Sequence, residues 1–447
     1  MSQDTKNQQL RIGICGLGTV GGGTYHLLQA KRKEITRRVG MDLDIIHVAT
    51  RNPDPSLKKD NIKVSKDVFD VAKNPDVDIV VELIGGFEPA LELVLYAIEN
   101  GKHVVTANKA LIAVHGNTIF EAARKKGVVV AYESAVAGGI PIIKALREGL
   151  AANSIQWLAG IINGTSNFIL TEMGERKRDF PEVLKEAQQL GYAEADPTFD
   201  IEGIDAAHKL AILASNAFGI ALEFDRVFTE GISHITTADI EYADELGYRI
   251  KHLGITRITE SGVELRVHPT LISQDTLIAN VNGVMNAVVV KGDSSGSTLY
   301  YGAGAGAEAT ASSVVADIID IARAWREERS SSVVPPLAFN NLRNDLRILD
   351  ISEIESEYYL RIPARDKVGV MAKISQVLTN YGINIEAVIQ KEPHGEDAEK
   401  GIVPVVILTS RIKEEVMDVA QGVIEGLDEV GAKIIRIRVE QFDGENN

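Results

Sequence analysis

The segment from Gly191 to Leu210, GYAEADPTFDIEGIDAAHKL, gathers Glu194, Asp196, Asp200, Glu202, Asp205 and Lys209 into one short stretch. Asp205 and Lys209 stand four residues apart, so on a helix they share one face. Carboxylates around an ammonium keep it protonated. A positioned ammonium, in turn, stabilises and protonates an oxygen on which negative charge builds. The same carboxylates can accept hydrogen bonds from the ammonium of an amino-acid ligand. A solvated acidic surface would read the same way locally, so the cluster's meaning depends on the elements that position it.

The first such element lies near the N-terminus. Leu10 to Cys15 is a short apolar run followed by Gly16-Leu17-Gly18-Thr19-Val20-Gly21 and the helical-looking Thr24 to Lys33. This is GxGxxG leaving a strand and opening a helix. Gly16 permits the tight turn, Gly18 lets a pyrophosphate approach the backbone, and Gly21 lets helix and strand pack closely. Phosphates at that helix start meet amides and the positive end of the dipole. The next strand, Leu43 to Ala49, ends in Thr50-Arg51-Asn52, where NAD-selective sites usually carry an acid. Arg51 instead suits a 2′-phosphate, which favours NADP and leaves NAD open.

Strand-like runs at Asp78–Leu83, His103–Thr106 and Val128–Tyr132 alternate with helical candidates at Pro89–Glu99 and Asn117–Lys126. That alternation implies a parallel, doubly wound sheet. Lys109 follows a strand's carboxyl end, where ligands bind in such sheets. After Glu133, the run Ser134 to Ile140 holds two glycines before Pro141. A loop of this kind can cap a helix, or turn carbonyls toward a hard cation. Trp157 to Ile162 reads as a buried strand, and Asn163-Gly164-Thr165-Ser166-Asn167 as the polar turn that ends it. Gly292 to Gly306 is too glycine-rich for the interior of an element and reads as a loop that lets backbone approach a ligand.

The totals narrow the partners. The 447 residues suggest about three domains. Forty-seven Lys and Arg face 63 Asp and Glu, a formal charge of -16, which repels nucleic acid and anionic lipid. A small-molecule substrate is the expected partner, with no nucleic acid and no membrane. Cys15 is the one cysteine, so no intrachain disulfide can form, and a reducing, cytoplasmic setting is expected. The polar start MSQDTKNQQL has no apolar core and is not read as a signal peptide.

In the tail, Ser330-Ser331-Ser332-Val333-Val334-Pro335-Pro336 reads as a break. Apolar periodicity then predicts strand, helix, strand, strand, helix, strand from Tyr358 to Val439, the ferredoxin-like split order.

Taken together, these segments resemble homoserine dehydrogenase of the single-function type with a C-terminal ACT domain. The resemblance rests on GLGTVG at Gly16, TANKA around Lys109, YESAVAGGIP at Tyr132, NGTSNFIL at Asn163, GYAEADP at Gly191, DIEGIDAAHKL at Asp200 and the Gly302–Gly306 loop. The Asp366–Ile374 run resembles the ACT signature. Two places depart from the family pattern where a proline is expected, Ala309 and Val368.

The resemblance implies reversible NAD(P)H-dependent reduction of L-aspartate 4-semialdehyde to L-homoserine, a step of threonine, methionine and isoleucine biosynthesis. It implies that Lys209 donates the proton, that Glu194 and Asp205 bind substrate, and that Asp200 and Lys109 stand beside it. It places cofactor at Gly16 to Gly21, Arg51, Lys109, Gly191 and Gly306. Glu133, with carbonyls of Val136, Gly138 and Ile140, matches a monovalent-cation site, expected to hold sodium. Gly369 and Asn384 match positions where ACT domains hold an amino-acid effector, expected here to be inhibitory threonine.

The expected fold is α/β, in three parts. A Rossmann-type domain covers 8–138 and is completed by 305–335. An α+β substrate and dimerisation domain covers 139–304, a linker 336–356, and a ferredoxin-like ACT domain 357–441. A homodimer or homotetramer is expected. Removing residues after Ser352 is expected to abolish inhibition while leaving activity. Two other readings remain open at this stage: another NAD(P)-dependent amino-acid or imine dehydrogenase, and a non-catalytic amino-acid sensor. Asp196 and Glu202 read as solvated.

Overall fold

The computed structural model describes residues 9–52, 62–326, 334–391 and 401–442. Residue 8 and the part of the expected serine break from 330 to 333 lie outside the described residues, as do 327–329 of the expected 305–335 segment.

The chain opens with β1 (Leu10–Cys15), α1 (Thr19–Ala30), α2 (Arg32–Val39), β2 (Leu43–Ala49), β3 (Lys63–Ser65) and α3 (Phe69–Lys73). It continues through β4 (Ile79–Glu82), α4 (Ala90–Glu99), β5 (His103–Thr106), α5 (Lys109–Lys126) and β6 (Val130–Ala131). The six strands form one parallel sheet in the order β3-β2-β1-β4-β5-β6. Strands β4 and β5 are buried at every residue, as parallel strands covered on both faces must be. Helix α5 begins at Lys109, eight residues before the expected start at Asn117. Gly116 interrupts the helical pattern, yet packing demands it, because a Cβ there would lie 2.5 Å from Leu222 Cδ1.

Beyond β6 come a 3-10 turn at Glu133–Ala135, the short helix α6 (Ile142–Lys144) and a π-turn at Ala145–Gly149. Strand β7 (Ile155–Ile161) leads to α7 (Gly164–Arg176), α8 (Phe180–Gln189), α9 (Thr198–Ile201) and α10 (Ile204–Phe218). Then follow β8 (Phe228–Thr229), α11 (Thr237–Glu245) and two long antiparallel strands, β9 (Tyr248–Ile258) and β10 (Val263–Ser273), with β7 antiparallel to β9.

The expected glycine-rich loop at 292–306 is mostly a hairpin. Strands β11 (Met285–Gly292) and β12 (Gly296–Ala303) pair antiparallel across a tight turn. Thr298, Tyr300 and Tyr301 supply β-preference, and the glycines serve the turn at Gly296, with φ +72, and the exit at Gly304–Gly306. Helix α12 (Ala307–Arg326) then packs Val314, Ile318 and Ile321 into the core of the parallel sheet.

The tail runs β13 (Glu355–Arg365), α13 (Val370–Asn380), β14 (Ile385–Gln390), β15 (Ile402–Thr409), β16 (Ile412–Lys413), α14 (Glu414–Glu425) and β17 (Ile435–Val439). Its four main strands stand in the order β17-β13-β15-β14, the split order expected. Tyr358, Leu360 and Ile362 face α13 and α14.

The chain packs into two compact units. One comprises Met1–Gln156, His208–Asp225 and Met285–Leu346, the other Trp157–Ala207, Arg226–Val284 and Arg347–Asn447. Within the second, the tail shares a sheet with the middle segment, because β17 pairs with β10 as well as with β13. Tyr359, Leu408 and Val439 join one apolar core with Ile169, Met173 and Ile250. Arg361 bonds Asp239 of α11 at 2.6 and 3.0 Å, and the buried Arg438 bonds Glu230 at 2.6 Å. Removing the residues after Ser352 would uncover that core and leave Asp239 buried without its cation, at a cost of several kcal/mol. Truncation is therefore no clean test of regulation; point substitutions are needed.

Candidate active site

The nucleotide end forms a cleft of about 600 Å³ at the carboxyl ends of β1, β2 and β4. Gly16, Leu17 and Gly18 line one wall, Thr50, Arg51 and Asn52 another, and Ile84 and Gly85 a third. The three fingerprint glycines have separable jobs. Gly16 has φ +96, and its Cβ would lie 2.6 Å from Leu83 O. A Cβ on Gly21 would lie 2.0 Å from Gly16 O, so a side chain there is excluded by backbone. A Cβ on Gly18 would meet nothing within 4 Å, which leaves that face open to a ligand. Thr19 and Val20 are the first residues of α1, and no side chain caps that helix. Its first amides can thus serve a phosphate. Arg51 is exposed on the rim, and Lys66, just after β3, lines the same cleft. The sequence reading missed Lys66; its signal was a lysine directly following a third parallel strand.

Glu82, fully buried, fixes the turn beyond β4. Its Oε1 accepts from the amides of Ile84 and Gly85 at 2.9 and 3.1 Å, and its Oε2 from Thr106 Oγ1 at 2.6 Å. Asn108 Nδ2 donates to Gly86 O at 2.6 Å while its Oδ1 caps α5 at Leu111 N. Lys109 is therefore held as the first residue of α5, half-buried. Gly306, at φ +122, lies exposed directly before α12, with open space where a Cβ would be.

The loop after β6 caps a helix. Glu133 is 1 % exposed, and its two oxygens accept from Ile143 N and Lys144 N at 2.8 Å each. Burial, then the charge of Asp317, pushes its carboxyl up to about 8. Burial pushes Asp317 up to about 6. The Lys144 ammonium pairs with Asp317 and Asp320, while Glu133 meets its backbone N–H. Ala137 and Gly138 both have positive φ, and Gly138 O accepts from Ser313 Oγ at 2.7 Å. Val136 and Ile140 are buried in the same loop. Among the described residues no three His, Cys, Asp or Glu side chains cluster as metal ligands. A cation at this loop would rest on carbonyls and the one carboxylate of Glu133.

The acidic cluster is built from the start of α7. The expected terminal turn at Asn163 is the cap of that helix, Oδ1 accepting from Ser166 N at 2.8 Å. Asn163 Nδ2 donates to Asp200 Oδ1 at 2.8 Å and to Asp205 Oδ2 at 2.9 Å. Ser166 Oγ donates to Asp200 O at 3.0 Å and Thr165 Oγ1 to Tyr192 O at 2.7 Å. Gly203, at φ +83 with three side chains 3.0 Å from its would-be Cβ, allows the sharp turn into α10. Asp205 is 3 % exposed, and Lys209, one helical turn on, is 9 % exposed. Glu194 is exposed on the loop, as is Gly191 at φ +74. Asp196 is exposed, as expected, and caps Thr198. Glu202 is not simply solvated: it is half-buried and accepts from Ser233 Oγ at 3.1 Å. Thus Asp200 and Asp205 are brought together, by a residue the sequence reading had given no role in the site.

In the tail, Gly369, at φ +91, precedes α13, and Asn384 follows it. The two sit at opposite ends of an 11-residue helix. Asn384 Nδ2 donates to Glu386 Oε1 at 3.1 Å.

Comparisons with known proteins point to one family. A family model for homoserine dehydrogenase matches residues 141–319, one for the homoserine dehydrogenase NAD-binding domain matches 16–133, and an ACT-domain model matches 358–417. The chain is 61 % identical over 435 residues to a homoserine dehydrogenase of Pseudomonas aeruginosa, covering 97 % of this chain and 99 % of that one. The crystal structure of a homoserine dehydrogenase from Thiobacillus denitrificans superposes with a TM-score of 0.91 at 54 % identity, covering 97 % and 98 % of the two chains. A hyperthermophilic archaeal homoserine dehydrogenase, solved in complex with NADPH, aligns at 26 % identity with a TM-score of 0.60, covering 75 % of this chain and all of that one.

Proposed function

The chain belongs to the homoserine dehydrogenase family, and on that premise we propose how its residues divide the work. The enzyme is an oxidoreductase that interconverts L-homoserine and L-aspartate 4-semialdehyde. When bound, the nicotinamide nucleotide supplies or accepts the hydride at the aldehyde carbon. Lys209 donates the proton to the aldehyde oxygen and takes it back in the reverse direction, its ammonium stabilising the charge that builds there. Asp205 grips the substrate's α-ammonium and helps keep Lys209 protonated. Asp200 sets the carboxylate pair, Glu194 reaches the substrate from the loop, and Lys109 stands at the end of β5 beside substrate and cofactor. The single observation that carries this reading is the carboxylate pair held by Asn163, half-buried Asp200 and buried Asp205, with Asp205 one turn of α10 ahead of the buried Lys209. Initial rates with homoserine and each nicotinamide cofactor test it; no turnover with either would sink it.

NADP is the preferred cofactor and NAD the weaker one. Arg51 and Lys66 offer two cations on the cleft rim, beside Asp67, and the residues directly after β2, Thr50-Arg51-Asn52, include no acid at the position that usually takes a ribose hydroxyl. A monovalent cation, sodium, sits at the loop of Glu133 with carbonyls of Val136, Gly138 and Ile140. The buried, hard-to-ionise carboxylate there, with Asp317 and Asp320 against Lys144 and the nearby charge of Arg147, supports a further positive charge. Titrating sodium into a rate assay in a sodium-free, bulky-cation buffer checks this; rates indifferent to the cation contradict it. The tail binds an amino-acid effector, threonine. Because Gly369 and Asn384 lie at opposite ends of α13, one effector touching both needs two copies, which favours a homodimer or homotetramer. Unchanged threonine response in Gly369→Asp and Asn384→Ala would remove the effector from these positions.

A further inference from the structure

We propose that Asn163 is a positioning residue for the reaction, setting the orientation of Asp205 and the spacing of the Asp200–Asp205 pair. The inference rests on the substrate-binding role given to Asp205 above. Asn163 is 5 % exposed, and both of its side-chain donors and its oxygen are hydrogen-bonded. Its two amide protons go to two different carboxylates, Asp200 Oδ1 at 2.8 Å and Asp205 Oδ2 at 2.9 Å. Its oxygen caps α7 at Ser166 N, at 2.8 Å. An NH2 group has two donors and no acceptor, so the arrangement is saturated and admits one orientation of the amide.

The residue type follows from this stoichiometry. Two carboxylates this close repel, and each favours protonation of the other. Bonds from the NH2 group stabilise both as charged acceptors, as charge-assisted bonds do. Aspartate would cap the helix as well as asparagine does, but it has no proton to give and would add a third charge. Serine would keep the cap with a single donor. The backbone links from Ser166 and Thr165 to Asp200 O and Tyr192 O hold the loop in place. The side chain of Asn163 acts on the carboxylates themselves.

Asn163→Asp separates this role from a structural one, because it preserves size and capping. At neutral pH the variant should lose about tenfold to a hundredfold in kcat/KM for homoserine, the worth of charge-assisted bonds. Cofactor KM should stay near wild type, while thermal unfolding falls at neutral pH with the added buried charge and recovers toward wild type as pH falls. The activity ratio of variant to wild type should rise as pH falls, because a proton trapped among residues 163, 200 and 205 restores one donor. Asn163→Asp combined with Asp200→Asn should recover part of the loss, since the amide placed at position 200 can donate to the carboxylate placed at position 163 and the added charge is gone. Asn163→Asp with wild-type kinetics, or with a loss independent of pH and matched by lowered thermal stability, overturns the proposal. Asp205→Asn is assayed in parallel. If it leaves homoserine kinetics unchanged, the assignment of Asp205 itself fails. If it damages them while Asn163→Asp does not, only the positioning role fails.

Discussion

The nucleotide cleft and the acidic cluster solve opposite problems. The cleft is made of backbone: Gly16 and Gly21 are where side chains cannot fit, Gly18 is where one is left out, and its cations are exposed on the rim. The cluster is made of side chains: Asn163, Asp205 and Lys209 are all buried, and Asn163 fixes Asp205 by a hydrogen bond. A cleft of amides can bind any dinucleotide phosphate and leaves selectivity to one or two surface charges. A buried constellation of charges holds one geometry and tolerates no missing partner. Substitutions in the cluster should therefore cost turnover, and substitutions in the cleft should cost cofactor affinity.

The largest expected effect is in the cluster. Lys209→Ala should lower kcat about a thousandfold, within the range of general-acid contributions, while NADPH affinity by fluorescence titration changes little. Near-normal turnover in that variant removes Lys209 from the proton-donating role.

Acid sensitivity is shared by both units. His103 of β5 and His252 of β9 are each held down to about 4, by burial above all. The unfolded value is about 6.5, so the fold favours the neutral rings. Their contribution is fully present above pH 6.5 and is lost as pH falls toward 4, each worth up to roughly 3 kcal/mol. Denaturant melts of His103→Gln and His252→Gln should fall off less steeply than wild type between pH 6.5 and 4. Parallel falls in all three proteins would assign the acid limb to other groups.

Within the cleft, Gly21→Ala should destabilise by about 1–3 kcal/mol, because its methyl meets backbone. Gly18→Ala should leave the melt within about 0.5 kcal/mol yet raise the cofactor KM. Equal melts for the two variants would show that these glycines do not have separate jobs. The smallest effect belongs to the rim: Arg51→Ala and Lys66→Ala should each weaken NADP about tenfold, a charge-assisted bond's worth, and leave NAD nearly untouched. An equal loss for both cofactors would dismiss a 2′-phosphate role.

The same contrast explains what the sequence disclosed. GxGxxG is local: six consecutive residues encode a turn, a close approach and a helix start, so the cleft was legible from Gly16 to Gly21. The tail's strands and helices were legible too, since their apolar period changes cleanly between two and 3.6. Asn163 was not, because its partners lie 37 and 42 residues away and a polar residue after a strand looks like punctuation. Lys109 was located, but its helix was cut short because the glycine at 116 answers to Leu222, 106 positions along the chain. The hairpin at 285–303 was hidden by glycines that serve its turn and exit. Beyond the cluster's chemistry, the resemblance to homoserine dehydrogenase supplied the substrate, which no spacing of acids could name.

The most direct test pairs one substitution from each region. NADPH dissociation constants and homoserine KM values are measured for Arg51→Ala, Asp205→Asn and the double variant. The account predicts that Arg51→Ala moves only the cofactor constant, that Asp205→Asn moves only the homoserine constant and turnover, and that the double variant shows the two effects added. Both constants moving together in either single variant would contradict it.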